Sequence, residues 1–153
     1  MIDVGEKMPD MDLTAPDGRT VKLSDYHGKK LVLFFYPKAS TPGCTTESKD
    51  FSALLPEFEK AGTAILGMSA DSPKRQQNFI NKQELTVDIA SDESTEFLEN
   101  IGVWAEKKMY GKTYMGIIRS TFLIGADGTI LHAWPKVKVK GHAEEVLAAA
   151  QAA

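Results

Sequence analysis

The sequence contains a single cysteine, Cys44, among its 153 residues. One cysteine cannot form a disulfide within the chain, and it cannot supply the several thiolates of a structural zinc site. The three histidines, His27, His132 and His142, are scattered without ligand spacing, so we expect no metal site. A chain without disulfides is typical of a reducing compartment, and we therefore expect a cytoplasmic location.

Long apolar runs and an excess of positive charge are also missing. No apolar run approaches the roughly 20 residues that cross a bilayer, and the N-terminus MIDVGEKMPDMDL lacks the basic start and apolar block of a secretory signal. The 18 basic and 21 acidic residues give a net charge of −3. We therefore expect neither a membrane nor a nucleic acid as partner. The loop GADG carries no phosphate-binding lysine, so a nucleotide cofactor has no support.

The apolar pattern predicts one α/β domain over residues 1–153, with a mixed sheet. Continuous apolar runs at Lys30–Tyr36 and Thr63–Asp71 indicate strands buried on both faces. An apolar stripe of helical period predicts a helix over Pro42–Lys60, with a kink at Pro56. The other expected elements are a turn at Pro16–Gly18, a helix from Asp71 to about Lys82, a strand at VDIAS, a helix at DESTEFLENIG, a hairpin around Ala126–Gly128 and a terminal helix.

Two segments are harder to assign from their pattern. The stretch Trp104–Ile118 has no clear period, and we interpret it as a loop or irregular hairpin over one end of the sheet. Lysine and valine alternate over Lys136–Lys140, which favours an edge strand protected by charge.

Cys44 falls in the first turn of the expected helix, after a buried strand and a turn. The free N–H groups and the dipole of a helix N-terminus favour a thiolate, and the apolar side of the helix limits access to it. A stabilised, sheltered thiolate is a selective nucleophile. A lone cysteine in an α/β protein is otherwise most often a small buried apolar residue.

The segment YPKASTPGCTTE resembles the active-site segment of the peroxiredoxins, Pro-x-x-x-Thr/Ser-x-x-Cys. Pro37, Thr41 and Cys44 match that pattern. The chain is most similar to the bacterioferritin-comigratory-protein or PrxQ subfamily, also in GVWAEKKMYGKTYMGIIRSTFLI and ADGTI. The similarity extends from about Val4 to the C-terminal helix, and so covers nearly the whole chain.

This resemblance implies a thioredoxin-like fold, in which helices flank a central mixed β-sheet, with an N-terminal β-hairpin and a peroxiredoxin-type insertion. It makes Cys44 the peroxidatic cysteine, and it implies that Thr41 hydrogen-bonds the peroxide and that Pro37 shields the thiolate. The family's distant arginine falls on Arg119, whose guanidinium would meet the charge that develops in peroxide cleavage. Other interpretations are that Thr41 only caps the helix, Pro37 only ends a strand, and Arg119 is a solvated edge residue.

Three supporting residues are weaker candidates. Glu47 is expected to orient Arg119 or to accept from a backbone amide, although a surface glutamate is common in a first helical turn. Tyr36 and Trp104 are candidates for the pocket wall, and core packing explains them equally well.

The chain departs from many relatives in lacking a resolving cysteine, because Lys49 occupies the position five residues after Cys44. We therefore predict a one-cysteine peroxidase that reduces hydrogen peroxide and organic hydroperoxides to water or alcohols through a Cys44 sulfenic acid. An external thiol must then regenerate the enzyme: thioredoxin, glutaredoxin with glutathione, or a small dithiol. We expect a monomer. The alternative is a thioredoxin-fold binding or holdase-like module with an inert Cys44, whereas a thiol–disulfide oxidoreductase would need a Cys-x-x-Cys pair.

Overall fold

A computed structural model describes all 153 residues as nine strands, four α-helices and one 3-10 helix at Leu23–Tyr26. The strands are β1 (Asp12–Thr14), β2 (Thr20–Lys22), β3 (Lys30–Phe35), β4 (Thr63–Ser69), β5 (Asp88–Ser91), β6 (Trp104–Met109), β7 (Lys112–Ile117), β8 (Ser120–Ile124) and β9 (Ile130–Trp134). The helices are α1 (Pro42–Lys60), α2 (Pro73–Gln83), α3 (Glu96–Ile101) and α4 (His142–Ala152).

Seven strands form one mixed sheet in the order β2-β1-β5-β4-β3-β8-β9. Strands β3, β4 and β5 are parallel, whereas β8 runs antiparallel to β3 and β9 antiparallel to β8. At the other edge, β1 and β2 form an antiparallel hairpin. This mixed sheet with helices on its faces confirms the predicted fold class.

Strand β3 is buried because each of its faces meets a different helical layer. Val32 and Phe34 pack in one apolar core with Phe51 of α1, Phe79 of α2 and Val146 of α4. The alternate residues of β3 pack on the other face with the apolar residues of α3. A strand covered on both faces needs a continuous apolar run, which is what Lys30–Tyr36 supplies.

Helix α1 has the predicted bounds and directs Phe51 and Phe58 into the core. Proline at the first helical position suits the start, because its missing N–H has no acceptor there in any helix. The helix continues through Pro56 to Lys60, and the kink at Pro56 stays a prediction.

The segment Trp104–Ile118 is more regular than its sequence indicates. Strands β6 and β7 pair residue by residue, from Trp104 opposite Ile117 to Met109 opposite Lys112, in a separate two-stranded sheet. Tyr110 and Gly111 both have positive φ, as a tight two-residue hairpin turn requires. The hairpin alternative is therefore confirmed, whereas the loop alternative and the expected irregularity were wrong. The sequence did not show the regular pairing because the hairpin is largely exposed and so carries no alternating apolar pattern.

The predicted edge strand at Lys136–Lys140 was also wrong. The valines of this segment are half-buried and the lysines exposed, so the alternation is real, but no ladder forms. Its one backbone bond to the sheet region joins the Val137 N–H to the Arg119 carbonyl at 2.9 Å. The edge strand on this side of the sheet is β9, which ends just before Pro135.

The remaining elements form where they were predicted, except that α3 begins at Glu96 and not at Asp92. Ser72 caps α2 by accepting from the Arg75 N–H, and Gly102 ends α3 in the left-handed conformation. The β8–β9 hairpin turns at Ala126–Gly128.

None of the four α-helices combines the length and the apolar composition needed to cross a bilayer.

Phe51 is a fully buried side chain that joins α1 to the core. Its ring is fully buried and stacks on Phe34 with centroids 4.7 Å apart. We predict that Phe51→Ala lowers the free energy of unfolding by about 3–5 kcal/mol, measured by urea denaturation, because a cavity remains beneath the helix. Tyr110→Ala is the matched control, since this ring is 97% exposed, and it should change stability by less than about 0.5 kcal/mol. Equal effects of the two changes would contradict this packing.

Candidate active site

Cys44 is the third residue of α1, and the fold buries its side chain to 1% exposure. It packs in the same apolar core as Tyr36 and Phe51, under the carboxyl end of β3. The sulfur therefore lies at the junction of a strand end and a helix N-terminus. That position combines low solvent access with the positive end of the helix dipole.

Arg119 reaches the same junction from another part of the chain. It directly precedes β8, and the antiparallel register of β3 and β8 sets Phe35 opposite Ser120. Arg119 therefore lies beside the end of β3, close to the start of α1. The bond from the Val137 N–H to the Arg119 carbonyl fixes its backbone from the other side.

The Arg119 guanidinium joins two side chains of α1. Its Nη2 donates to Cys44 Sγ at 3.2 Å, and its Nη1 donates to Glu47 Oε1 at 2.6 Å. Glu47 lies one helical turn after Cys44, so both groups project from the same side of α1. The three side chains form a largely buried group in which one cation bridges a carboxylate and a sulfur.

Burial and mutual contact shift the pKa values of Glu47 and Arg119. It raises the pKa of Glu47 to about 7, and the neighbouring Arg119 opposes that rise only in part. The second oxygen, Oε2, has no hydrogen-bond partner in the protein. Burial would lower the pKa of Arg119, but Glu47 and Cys44 outweigh it and the net shift is upward. The guanidinium is thus held in its charged form next to the sulfur.

Gly43 gives the guanidinium room, and sequence reasoning missed it. A Cβ at this position would lie 3.2 Å from Arg119 Nη2, closer than ordinary van der Waals contact. Glycine is unfavourable in a helix, so a glycine in the first turn, directly before the cysteine, indicates a second requirement at that position. That signal could have identified Gly43 from the sequence.

Thr41 occupies the N-cap position of α1, but its hydroxyl does not cap the helix. It donates instead to the Lys38 carbonyl at 2.7 Å. The N–H groups of Gly43 and Cys44 have no acceptor within the chain. Two backbone donors and the acceptor lone pairs of the Thr41 hydroxyl are therefore available beside the sulfur.

A buried polar network holds the loop that leads from β3 to α1. Asp71 accepts from the Ala39 N–H at 2.8 Å and from the Ser69 hydroxyl at 2.6 Å. Gln76 donates to the same hydroxyl at 2.8 Å and accepts from the Tyr36 hydroxyl at 2.5 Å. The network ties the carboxyl end of β4 and the N-terminal part of α2 to the loop, and so fixes where α1 begins.

An open cavity of about 550 Å³ adjoins the site. Pro37, half-buried Trp104 and half-buried Lys107 line it, with residues at the start of α2. Cys44 and Arg119 do not line it. Lys107 is a second residue that sequence reasoning missed, since nothing in the pattern of the exposed hairpin distinguishes it.

The structure brings together Cys44, Glu47 and Arg119, three of the seven residues selected from the sequence. Thr41 is the N-cap residue of the same helix, as predicted, but its side chain makes no capping hydrogen bond. Pro37 and Trp104 line the adjoining cavity, whereas Tyr36 lies fully buried in the core and its hydroxyl bonds Gln76. No three side chains of His, Cys, Asp or Glu are grouped closely enough to hold a metal ion.

Comparison with known proteins shows one consistent relationship. The AhpC/TSA family matches residues 4–133. Peroxiredoxin Bcp of Xanthomonas campestris pv. campestris is 50% identical over 143 residues, which are 94% of this chain and 89% of that protein. Peroxiredoxin Bcp of Bacillus subtilis is 47% identical over 146 residues, which are 95% and 93% of the two chains. A solved structure of the Xanthomonas campestris bacterioferritin comigratory protein, studied for its alkyl peroxide reduction activity, has a TM-score of 0.91 at 47% identity and covers 98% of both chains.

The close approach of Gly43 to Arg119 can be tested with one methyl group. We predict that Gly43→Ala displaces the guanidinium by a few tenths of an ångström and slows the oxidation of Cys44 by peroxide about tenfold, with little loss of stability. The measurement is the second-order rate constant of thiol loss with hydrogen peroxide. Thr46→Ala, on the exposed side of the same turn, is the control and should leave that rate unchanged. An unchanged rate in Gly43→Ala would show that Arg119 needs no such room.

The raised pKa of Glu47 predicts a distinct dependence of stability on pH. A carboxyl whose folded pKa lies above its ordinary 4.5 contributes stability in full below pH 4.5 and loses it as the pH rises through about 7. Glu47→Gln cannot ionise. Relative to the unaltered protein, the variant should therefore gain about 2–3 kcal/mol between pH 5 and pH 8, measured by urea denaturation. A difference that stays flat, or that falls as the pH rises, would contradict the raised pKa.

Proposed function

The chain belongs to the AhpC/TSA family and, within it, to the Bcp/PrxQ peroxiredoxins, which are thiol peroxidases, and we propose that it reduces hydrogen peroxide and organic hydroperoxides through a sulfenic acid on Cys44. An external thiol then regenerates Cys44. The observation that carries this proposal is the bond from Arg119 Nη2 to Cys44 Sγ at 3.2 Å. A fixed cation that donates directly to the sulfur of the only thiol in the chain is in place to stabilise negative charge during the reaction.

The first step is nucleophilic attack by the Cys44 thiolate on the terminal oxygen of the peroxide. An S–O bond forms and the O–O bond breaks, so the sulfur is oxidised to sulfenic acid and the second oxygen leaves as hydroxide or alkoxide. That oxygen takes up a proton and is released as water or an alcohol. Negative charge thus moves from the sulfur to the leaving oxygen during the step.

Arg119 and the backbone donors of the first turn are the groups that meet this moving charge. The guanidinium is already hydrogen-bonded to the sulfur, and the N–H groups of Gly43 and Cys44 have no acceptor in the chain. Donors that are in place before the reaction stabilise a transition state without reorganisation. Because the Thr41 hydroxyl donates to Lys38, its lone pairs are free to accept from the peroxide O–H. Pro37, which lines the adjoining cavity, limits the access of water.

The supporting residues act through these groups. Glu47 holds Arg119 by the 2.6 Å bond to Nη1 and leaves Nη2 for the sulfur. Tyr36 belongs to the buried network that fixes the loop before α1, and Trp104 forms part of the cavity wall.

The second step needs a thiol from outside the chain. Cys44 is the only cysteine, and the position five residues later carries Lys49, whose side chain is exposed. The sulfenic acid must therefore react with thioredoxin, with glutathione and glutaredoxin, or with a small dithiol, and form a mixed disulfide. Because Cys44 is 1% exposed, the first turn of α1 has to open for this attack.

The proposal is tested by exposing the reduced protein to one equivalent of hydrogen peroxide with a sulfenic-acid trap and excess free cysteine, followed by intact mass. Cys44 should be oxidised rapidly and quantitatively, seen as the trap adduct or as the mixed disulfide with free cysteine, and Cys44→Ser should give neither product. Arg119→Lys keeps the charge but not the two fixed donors that contact Glu47 and Cys44, and should slow the reaction about 10²–10³-fold. Arg19→Ala is the matched control, because Arg19 is exposed and pairs only with Asp17. Consumption of free cysteine before Cys44 would instead indicate a binding module with an inert cysteine.

A further inference from the structure

The cavity beside the active site is much larger than the peroxide group that Cys44 attacks. Its volume of about 550 Å³ falls in the range of sites that bind whole small molecules, whereas a water-sized molecule occupies only about 30 Å³. Three separate segments build it: the loop before α1, the start of α2, and the β6–β7 hairpin. The residues that matter for its chemistry are Lys38, Asp71, Arg75, Trp104, Lys107 and Tyr114.

The cavity is positive in a chain whose net charge is −3. Each of the three segments contributes one cation, namely Lys38, Arg75 and Lys107. The single carboxylate, Asp71, has a side chain only 4% exposed and already binds the Ala39 N–H and the Ser69 hydroxyl, with Arg75 at 3.7 Å. An anion entering the cavity would therefore meet more positive than negative charge.

Lys107 is the cation that most clearly lacks a partner. Its side chain is half-buried, yet it forms no ion pair and no hydrogen bond within the chain. Its stem packs on Gly116, where an added Cβ would lie 3.2 Å from Lys107 Cδ. Burial lowers the pKa of Lys107, Arg119 lowers it further, and Cys44 acts in the opposite direction. A bound anion would offset both unfavourable effects.

We propose that this cavity binds the external reductant, and that the reductant is a low-molecular-weight thiol carrying carboxylate groups. The inference rests on the proposed function, since a one-cysteine peroxidase consumes an external thiol in every turnover. Cations favour such a thiol in two ways: they pair with its carboxylates, and they stabilise the thiolate that must attack. Trp104 and Tyr114 supply an apolar wall for the rest of the molecule.

The chemistry of the step is balanced by two molecules of the thiol. The first thiolate attacks the Cys44 sulfenic sulfur, an S–S bond forms, the S–O bond breaks, and the hydroxide that leaves is protonated to water. The second thiolate attacks the mixed disulfide at the sulfur of the first thiol and releases Cys44 as thiolate. The thiol is oxidised to its disulfide, and Cys44 is reduced to its starting state.

The experiment compares two thiols on Cys44 sulfenic acid that has been formed in advance with one equivalent of hydrogen peroxide. The probes are glutathione, which has two carboxylates, and its diethyl ester, which has none; the readout is the rate of mixed-disulfide formation by quenched intact mass. Glutathione should react about tenfold faster than the ester. Lys107→Gln and Arg75→Gln should each bring that ratio toward one. Lys108→Gln, the adjacent hairpin residue on the opposite face of β6, is the matched control and should leave the ratio unchanged.

The outcomes separate this inference from the function on which it rests. Failure of Cys44 to form a sulfenic acid would overturn the proposed function. Normal formation of the sulfenic acid, with equal rates for the two thiols, would overturn only the assignment of the cavity. A further measurement compares the rates at which a carboxylate-bearing hydroperoxide and its ester oxidise Cys44 in place of hydrogen peroxide. Dependence on charge in that step alone would assign the cavity to the substrate and overturn the assignment to the thiol.

Discussion

The contact of one guanidinium with both Glu47 and Cys44 is the interaction on which the active site depends. Either charged side chain of this largely buried group would destabilise the fold if it were unpaired, because a charge in the interior loses its hydration. Arg119 compensates Glu47 through Nη1 and orients Nη2 toward the sulfur. The compensation is incomplete, since Glu47 Oε2 has no partner and its pKa is about 7. The chain thus retains an energetically unfavourable carboxylate where that carboxylate binds the guanidinium that contacts Cys44.

The sheet supplies the precision that this contact requires. Strand β3 is held between β4 and β8 and is covered on both faces, so its carboxyl end is a rigid point in the molecule. Helix α1 starts from that end, and Arg119 enters from the neighbouring β8, so the cysteine and its cation are attached to two adjacent strands. Asp71 fixes the connecting loop at Ala39, directly before Ser40, which adopts a positive φ of 66°. Rigid attachment of this kind keeps donors aligned before the substrate arrives.

The sequence was informative where one pattern has one structural meaning. The buried runs of β3 and β4 and the stripe of α1 specify their elements, because few other structures bury a continuous apolar segment. The cysteine motif and the family resemblance selected Cys44 and Arg119, which the structure brings into contact. The strand prediction for Lys136–Lys140 was wrong, because the same alternation of lysine and valine occurs in a segment that is joined to Arg119 beside the sheet by one backbone hydrogen bond. Gly43 and Lys107 could not be placed, because their roles depend on contacts between segments distant in sequence.

The most direct test of the central claim is a double-mutant cycle on the second-order rate constant for oxidation of Cys44 by hydrogen peroxide. The two changes are Glu47→Gln and Arg119→Lys, with the double variant completing the cycle. If Glu47 acts by positioning Arg119, Glu47→Gln should slow the unaltered protein but should cost little once Arg119 has been replaced. Fully additive losses would contradict the claim, because they would mean that the two residues act on Cys44 independently.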